Sequence, residues 1–511
     1  MNAAQLACWT KTVIDDSEMQ PQSIDDVLCL PDFMSKIKAS EQLFGRAFSQ
    51  LDGAIQTALV QRRAMQLVQI LRVNPLWQER LCQAGIKGKL ESFDEWQNLP
   101  IMEREDLEEF YMGQRSGMVV PLRHGHFQII ASGGTSGGLP IETVYSLSEL
   151  RDTYALAGSF FDRHILPAYL TSADPKWMIT TLSDYEMWSS GSMLGGVLQN
   201  IPSVNFIHAG PMSPPIFDHL MNFAGPKAIL GMAREISGLV ELGKHLGDDA
   251  RESFKLAFYG SGILQPKQQD RLKEFYPKLQ ILSYFASNQA EAIGIEIKPN
   301  SPLAAVPGLH LIEIVDQQGR WVAQGEEGEL VITRLHAQHA PILRMKLGDR
   351  MVRRAPLACD DLSAECFDFA GRSSDIIHLG ESHYAAKLVL KNIGEKLMSY
   401  SGWSLPLSAY EIQFQNNRRD KVLSLIVSSD DLPEIALHNN NSQMPMSNDE
   451  IRALFVTALR AALSLFDQTD QQFSSLKSSD YQFNIEVVPR GSDKFYRTGV
   501  NKTPLIKDYF G

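Results

Sequence analysis

The sequence predicts an α/β fold in two parts, a large N-terminal α/β domain and a small α+β domain after it, and three observations predict it. Strand-like and helix-like runs alternate through the middle of the chain. Between about residues 309 and 352 the texture changes to strands joined by glycine-containing turns, the mark of a small β subdomain. After Gly371 a new alternating unit of about 135 residues begins, long enough for a domain of its own.

Each element has its own signal. From about residue 45 to 110 the chain reads as helical, with "LDGAIQTALVQRRAMQLVQILRV" placing apolar residues three and four apart before Pro75. "FQIIA" (Phe127–Ala131) predicts a buried strand, and "IETVYS" a second one that runs into a helix start, where Ser146 and Glu149 have capping-box spacing. "KWMITTL", "VNFIHA", "FKLAFYG" and "LQILSYF" predict strands, interleaved with the helix-like "SGLVELGKHL" and "PKQQDRLKEFY", the latter with proline in its first turn. That alternation implies a sheet that is at least partly parallel. "LHLIEIVDQQGRWV" and "GEEGELVITRL" carry the β subdomain. In the last part come strand-like "AYEIQFQ" and "KVLSLIVSS", a polar spacer "NNNSQMPMSN", a helix opened by Ser447 and Glu450, and strand-like "FNIEVVP".

Composition narrows the function. With 511 residues, 44% apolar and 21% charged, the chain is long enough for two or more substantial cores. A net charge of −12 and a pI near 5.5 argue against a general nucleic-acid or anionic-membrane binder and favour small-molecule chemistry. The cysteines at 8, 29, 82, 359 and 366 are odd in number and have no C-x-x-C spacing, so neither a disulfide framework nor a zinc ribbon is signalled. The N-terminus lacks a charged start followed by an apolar stretch, and no run of eighteen apolar residues occurs. The expectation is a cytoplasmic protein that does not span the membrane.

The stretch "ASGGTSGGLP" (131–140) lies between the first two predicted strands. A free Gly/Ser linker has no such flanks. Glycines in a loop held at both ends let backbone N–H groups approach an anion, and Ser132, Thr135 and Ser136 add hydroxyl donors, so phosphate is the natural guest. The P-loop ending is absent, since Gly137 and Gly138 are followed by Leu139 and Pro140, and the dinucleotide fingerprint is excluded by spacing and by the lack of a following helix. His124 and His126 in "RHGH", and His336 and His339 in "HAQH", have no acid or cysteine partner at ligand spacing and read as surface loops.

Further stretches follow the glycine run in a fixed order: "YGSGI" (259–263), "SYFASNQAEAIG" (283–294), "RMKLGDR" (344–350) with "GRSSDII" (371–377), and "RTGVNKTPLIKD" (497–508). In this order and spacing the chain resembles the adenylate-forming enzymes, and among them the phenylacetate–CoA ligase branch. Members of that branch also carry a helical start similar to "NPLWQERLCQAGI" and "LPIMEREDLEEF". The resemblance runs from about residue 40 to 508.

It implies an adenylation domain over residues 1–371, a hinge at 372–376 and a mobile domain over 377–511. Ser132, Gly133, Gly134, Thr135, Ser136 and Gly137 would hold the β- and γ-phosphates of ATP, although most relatives have a lysine near the loop end where this chain has Gly138. Gly260, Ser261 and Gly262 match a backbone shelf for adenine, Tyr284 the aromatic beside it, Asn288 a further nucleotide contact, and Asp349 the ribose carboxylate. For Asp349 the alternative is a turn aspartate in "LGDR". Arg372 matches an arginine at the hinge that reaches the nucleotide, and Ser374 replaces the first of two acids usual there, ahead of Asp375. Lys502 aligns with the catalytic lysine, with Lys494 as its rival. Gln289 stands where relatives place the glutamate that holds Mg²⁺, and Glu291 is the alternative ligand. Met187, Trp188, Ser192 and Ala286 are candidates for the acyl pocket.

The function implied is ATP-dependent activation of a small carboxylic acid, aromatic acids included, as acyl-AMP with Mg²⁺ present, and transfer to coenzyme A. Transfer to a carrier-protein thiol or to an amine is the alternative within the class. A nucleotide- or acyl-binding protein without turnover, suggested by Gln289, Gly138 and Ser374, is the alternative outside it. No nucleic-acid or membrane partner is implied, and a homodimer is a candidate assembly.

Overall fold

The computed structural model describes residues 1–132, 141–264, 266–359, 361–373, 375–379, 382–401, 411–428, 448–469, 481–489, 491–498 and 503–509. Its contacts divide the chain into one unit of residues 1–263 with 272–370 and another of residues 264–271 with 371–511.

The first unit begins with helices, and they start well before residue 45. Ala3–Val13 opens on an Asn2 and Gln5 capping box, and Phe33–Phe44 buries Phe33, Met34 and Ile37. The longest, Gly53–Leu71, turns Ile55, Leu59, Leu67, Val68 and Leu71 inward, as its spacing predicts. The chain restarts at Asn74, whose side chain accepts from the backbone of Leu76 and Trp77 and so caps the helix Pro75–Gln83.

A short antiparallel ribbon follows, β1 (Phe127–Ala131) with β2 (Glu142–Ser146), leading into the helix Leu147–His164. The main sheet contains β3 (Trp177–Thr180), β4 (Asn205–His208), β5 (Lys227–Met232), β6 (Phe254–Gly260), β7 (Gln280–Ser287), β8 (Glu291–Glu296), β9 (Leu303–Ala305), β10 (His310–Val315), β11 (Glu327–Arg334), β12 (Met345–Cys359) and β13 (Leu362–Arg372). Their order across the sheet is β10-β11-β12-β13-β9-β8-β7-β6-β5-β3-β4. The strands from β4 to β7 run parallel, and β5 is buried along its whole length, as a strand covered on both faces must be. From β7 to β8 the direction reverses. The predicted β-rich stretch is therefore the antiparallel half of one continuous sheet.

Two local readings change. "SGLVELGKHL" forms short helical pieces, Ala233–Ser237 and Leu239–Leu242, because Gly238 and Gly243 interrupt what the apolar spacing would continue. "LGDR" is a bulge inside β12 rather than a turn, since the register moves from Glu329↔Arg350 to Val331↔Lys346 and leaves Leu347 to Asp349 opposite Leu330 alone. Gly348, with φ of 77°, supplies the left-handed step this needs.

The second unit holds the hairpin β14 (Ile376–Leu379) and β15 (Ser382–Ala385), the helices Ala386–Ser401 and Asn448–Thr469, and β16 (Ile412–Asn417), β17 (Val422–Ser428), β18 (Gln482–Val488) and β19 (Ile506–Tyr509). The sheet order is β18-β17-β16-β19. Ile393, Leu397, Phe414, Leu425, Phe455 and Leu459 form its core. Ser447, the expected cap, lies outside the described residues. Among the described residues no helix is long and apolar enough to cross a membrane. All five cysteines are free thiols.

Candidate functional site

The glycine run grows out of the β1–β2 ribbon. Gly133, Gly134, Thr135, Ser136, Gly137 and Gly138 lie outside the described residues, but both ends of the loop are described. At its neck the Ser132 N–H donates to Ile141 O over 2.9 Å, and the Ser132 hydroxyl is buried without a hydrogen-bond partner among the described residues. One residue earlier, the Ala131 N–H donates to Met187 O over 2.9 Å, and Ala131 O accepts the Asn288 side-chain amide. The Tyr145 hydroxyl donates to Asn288 O over 2.7 Å. Three segments distant in sequence thus meet at the neck: the loop ends, the Met187 turn and the turn between β7 and β8.

The predicted shelf is built by contact. Gly260 closes β6 opposite Met232 of β5, and a Cβ there would lie 2.5 Å from the Tyr284 ring. Only glycine leaves room for that ring beside the backbone. Burial, then the nearby Glu235 carboxylate, holds the Tyr284 phenol well above its ordinary range, so the ring is neutral. Ser261 is exposed with φ of 55°, and Gly262 is exposed beside it. Asp349 is buried in the β12 bulge, a device that re-aims a side chain.

Gln289 sits half-buried in the turn after β7, while Glu291 opens β8 with φ of 45° and is 7% exposed. The two therefore do not share one strand face. Among the described residues neither carboxylate oxygen of Glu291 receives a hydrogen bond, and the buried Ser287 hydroxyl is also without a partner. The nearest cationic candidate is His310 Nε2, 3.4 Å from Glu291 Oε2. Burial pushes that imidazole below its usual range, and the Glu291 carboxyl also feels the buried Arg334 guanidinium.

A buried charge network that the sequence reading missed lies behind this turn. Arg334 of β11 donates through Nε to Glu149 Oε1 over 2.9 Å, and its guanidinium lies 3.7 Å from the centre of the Tyr145 ring. Glu149 therefore completes half of the expected capping box. Its N–H donates to Ser146 Oγ over 3.1 Å, but its carboxylate is taken by the stronger guanidinium partner. Burial raises the Glu149 carboxyl to about 7 against the pull of Arg334. The available signal was an arginine inside the apolar strand "LVITRL".

The acyl-pocket candidates separate. Met187, with φ of 67°, is at an exposed turn after Glu186, also left-handed at 43°, whereas Trp188 is buried. Ser192 is exposed and its N–H donates to Asp184 Oδ1 over 2.9 Å; Ala286 is exposed on β7. A cavity of 410 Å³ lies elsewhere, lined by His126, Gln128, Leu147, Leu150, Arg151 and Tyr154. His124 and His126 are exposed, as expected. The "HAQH" pair is not: His336 is buried with Nε2 3.0 Å from Gly308 O, and His339 is half-buried, because both follow β11 into the core instead of leaving it. Among the described residues no cluster of three metal-binding side chains occurs.

In the second unit, Arg372 is exposed at the end of β13, where its N–H donates to Asp375 Oδ2 over 3.2 Å and its carbonyl accepts from Asp375 over 3.1 Å. Lys502 and Ser374 lie outside the described residues. The rival Lys494 is solvent-facing, 3.4 Å from Glu486.

No protein-family model matches the chain, and no curated protein matches it. Solved structures do. A 2-hydroxyisobutyryl-CoA ligase in the postadenylation state with 2-HIB-AMP is 16% identical, with 90% of this chain and 91% of that one covered at a TM-score of 0.63. The same ligase with 2-HIB-AMP and CoA in the thioesterification state gives 0.54 at the same identity and coverage, 16%, 90% and 91%. An acyl acid amido synthetase in complex with 2,4-DB is 14% identical, with 94% and 95% covered at 0.58. The chain has the fold of the adenylate-forming enzymes, along nearly its whole length.

Proposed function

We propose that this protein is an AMP-forming carboxylate ligase: it activates a small carboxylic acid, aromatic acids included, as an acyl-adenylate and passes the acyl group to coenzyme A. The observation that carries the reading is the convergence, within one unit of that fold, of the neck of the glycine loop with the turn after β7, the strand whose Tyr284 packs on Gly260.

Each part has a task. The shelf offers a flat, close surface to the adenine, and the buried Asp349 offers a carboxylate to the ribose hydroxyls. Residues 132–138 cradle the departing phosphates with backbone N–H groups and hydroxyls. The residues around the turn fit Mg²⁺, because Glu291 carries a buried carboxyl group with no donor among the described residues, near the oxygen-bearing Gln289 and Ser287 in sequence. When bound there, the ion would neutralise phosphate charge. Lys502, with Arg372 near the nucleotide, stabilises the charge that builds between carboxylate and α-phosphate. Residues 372–376 act as the hinge on which residues 377–511 move between the two half-reactions.

A second reading keeps the first half-reaction and changes the acceptor to an amine or a carrier-protein thiol. The likeness to an acyl acid amido synthetase at a TM-score of 0.58 favours it. The deciding experiment is pyrophosphate exchange over a panel of carboxylic acids, with and without coenzyme A. Acid-dependent exchange with AMP as the product is the expected result, and thioester formation identifies the acceptor. Stoichiometric ADP would reject the reading, and nucleotide binding without exchange would leave a binder without turnover.

A further inference from the structure

We infer that Asn288 is a positioning residue that sets the neck of the glycine loop, not a ligand of the nucleotide; this rests on reading residues 132–138 as phosphate-binding. Ser132 bonds across to Ile141, which leaves Ala131, opposite Glu142, at a site where N–H and C=O point away from the partner strand. Those two groups need other partners. The N–H finds Met187 O, and the C=O finds the Asn288 amide.

Asn288 also reaches the second strand. Its own carbonyl accepts the Tyr145 hydroxyl over 2.7 Å, and Tyr145 is fully buried, held beneath the Arg334 guanidinium. One residue therefore ties β1 and β2 on both sides of the loop to the turn after β7. A two-stranded ribbon is marginal by itself, so its end is fixed by such ties. Both bonds face the protein.

A clamp and a ligand differ in what they discriminate. On the proposed reading the loop residues bind the β- and γ-phosphates, which AMP lacks. Loosening the neck weakens ATP and spares AMP, whereas loss of a contact to adenine or ribose weakens both. The test is calorimetric titration of ATP and AMP into wild type, Asn288→Ala, Tyr145→Phe and the double variant, with folding checked by circular dichroism. Tyr145→Phe removes one buried oxygen while keeping the ring, and it serves alone if Asn288→Ala does not fold. The expected result is a loss of about tenfold in ATP affinity in each single variant, the size of one buried hydrogen bond, with AMP affinity unchanged. The double variant should lose more than either single one, because Asn288→Ala removes the side-chain bond to Ala131 and Tyr145→Phe the separate bond to the Asn288 backbone carbonyl. Parallel losses of ATP and AMP, or none in either, would overturn the clamp. Failure of wild type to bind ATP would overturn the phosphate-loop reading and the clamp with it.

Discussion

Gly260 shows what one residue decides. It ends β6 as the sequence suggests, yet its necessity comes from a ring that approaches from β7, 2.5 Å from where a Cβ would stand. Gly260→Ala should cost about 1–3 kcal/mol of stability as the ring is displaced, and it should weaken AMP and ATP together. Urea denaturation and the same titrations check both effects, and a variant with wild-type stability would show that the ring is not seated there. "YGSGI" made the glycine visible as a candidate but not its partner, because a close contact between strands is absent from local pattern. Asp349 is the reverse case. Its four-residue string is a good turn by composition, and only pairing with β11 makes it a bulge.

Elements that announced themselves were those with unbroken periodicity or a cap: the helix Gly53–Leu71, the ribbon strands and the parallel strands of the main sheet. The helix Leu147–His164 was legible from Ser146, but the destination of Glu149 was not, since its partner lies 185 residues away on β11. That pair joins the helix that follows the ribbon to the main sheet. Arg334→Met should cost about 3–5 kcal/mol, the consequence of leaving a buried carboxylate alone. The pH dependence has a definite sign. Burial raises the Glu149 carboxyl above the 4.5 of a free side chain, so its contribution is fullest below 4.5 and is lost as pH rises through the raised folded value. Removing the guanidinium raises that carboxyl further. Denaturation of Arg334→Met at pH 5 and pH 8 should show the greater deficit at pH 8. Equal deficits would mean that the carboxylate finds another partner.

At the scale of the molecule, the order of motifs was the legible property, since it carried the resemblance to the adenylate-forming enzymes, whose fold the chain has along nearly its whole length. On the proposed reading, adenylation and acyl transfer would place opposite demands on Lys502: a cation while charge builds on the α-phosphate, and its departure before a thiol attacks. Lys502→Ala should slow adenylation by about two to three orders of magnitude, the worth of one charge contact in a water-poor site. Transfer from chemically supplied acyl-adenylate should stay near the wild-type rate. Lys494, which faces solvent beside Glu486, should be dispensable for both steps. Measuring the half-reactions separately on the two variants distinguishes the cases. If Lys502→Ala, shown to be folded, loses both steps together, residues 377–511 do not alternate between them; if Lys494→Ala loses adenylation instead, the lysine of the first half-reaction is Lys494.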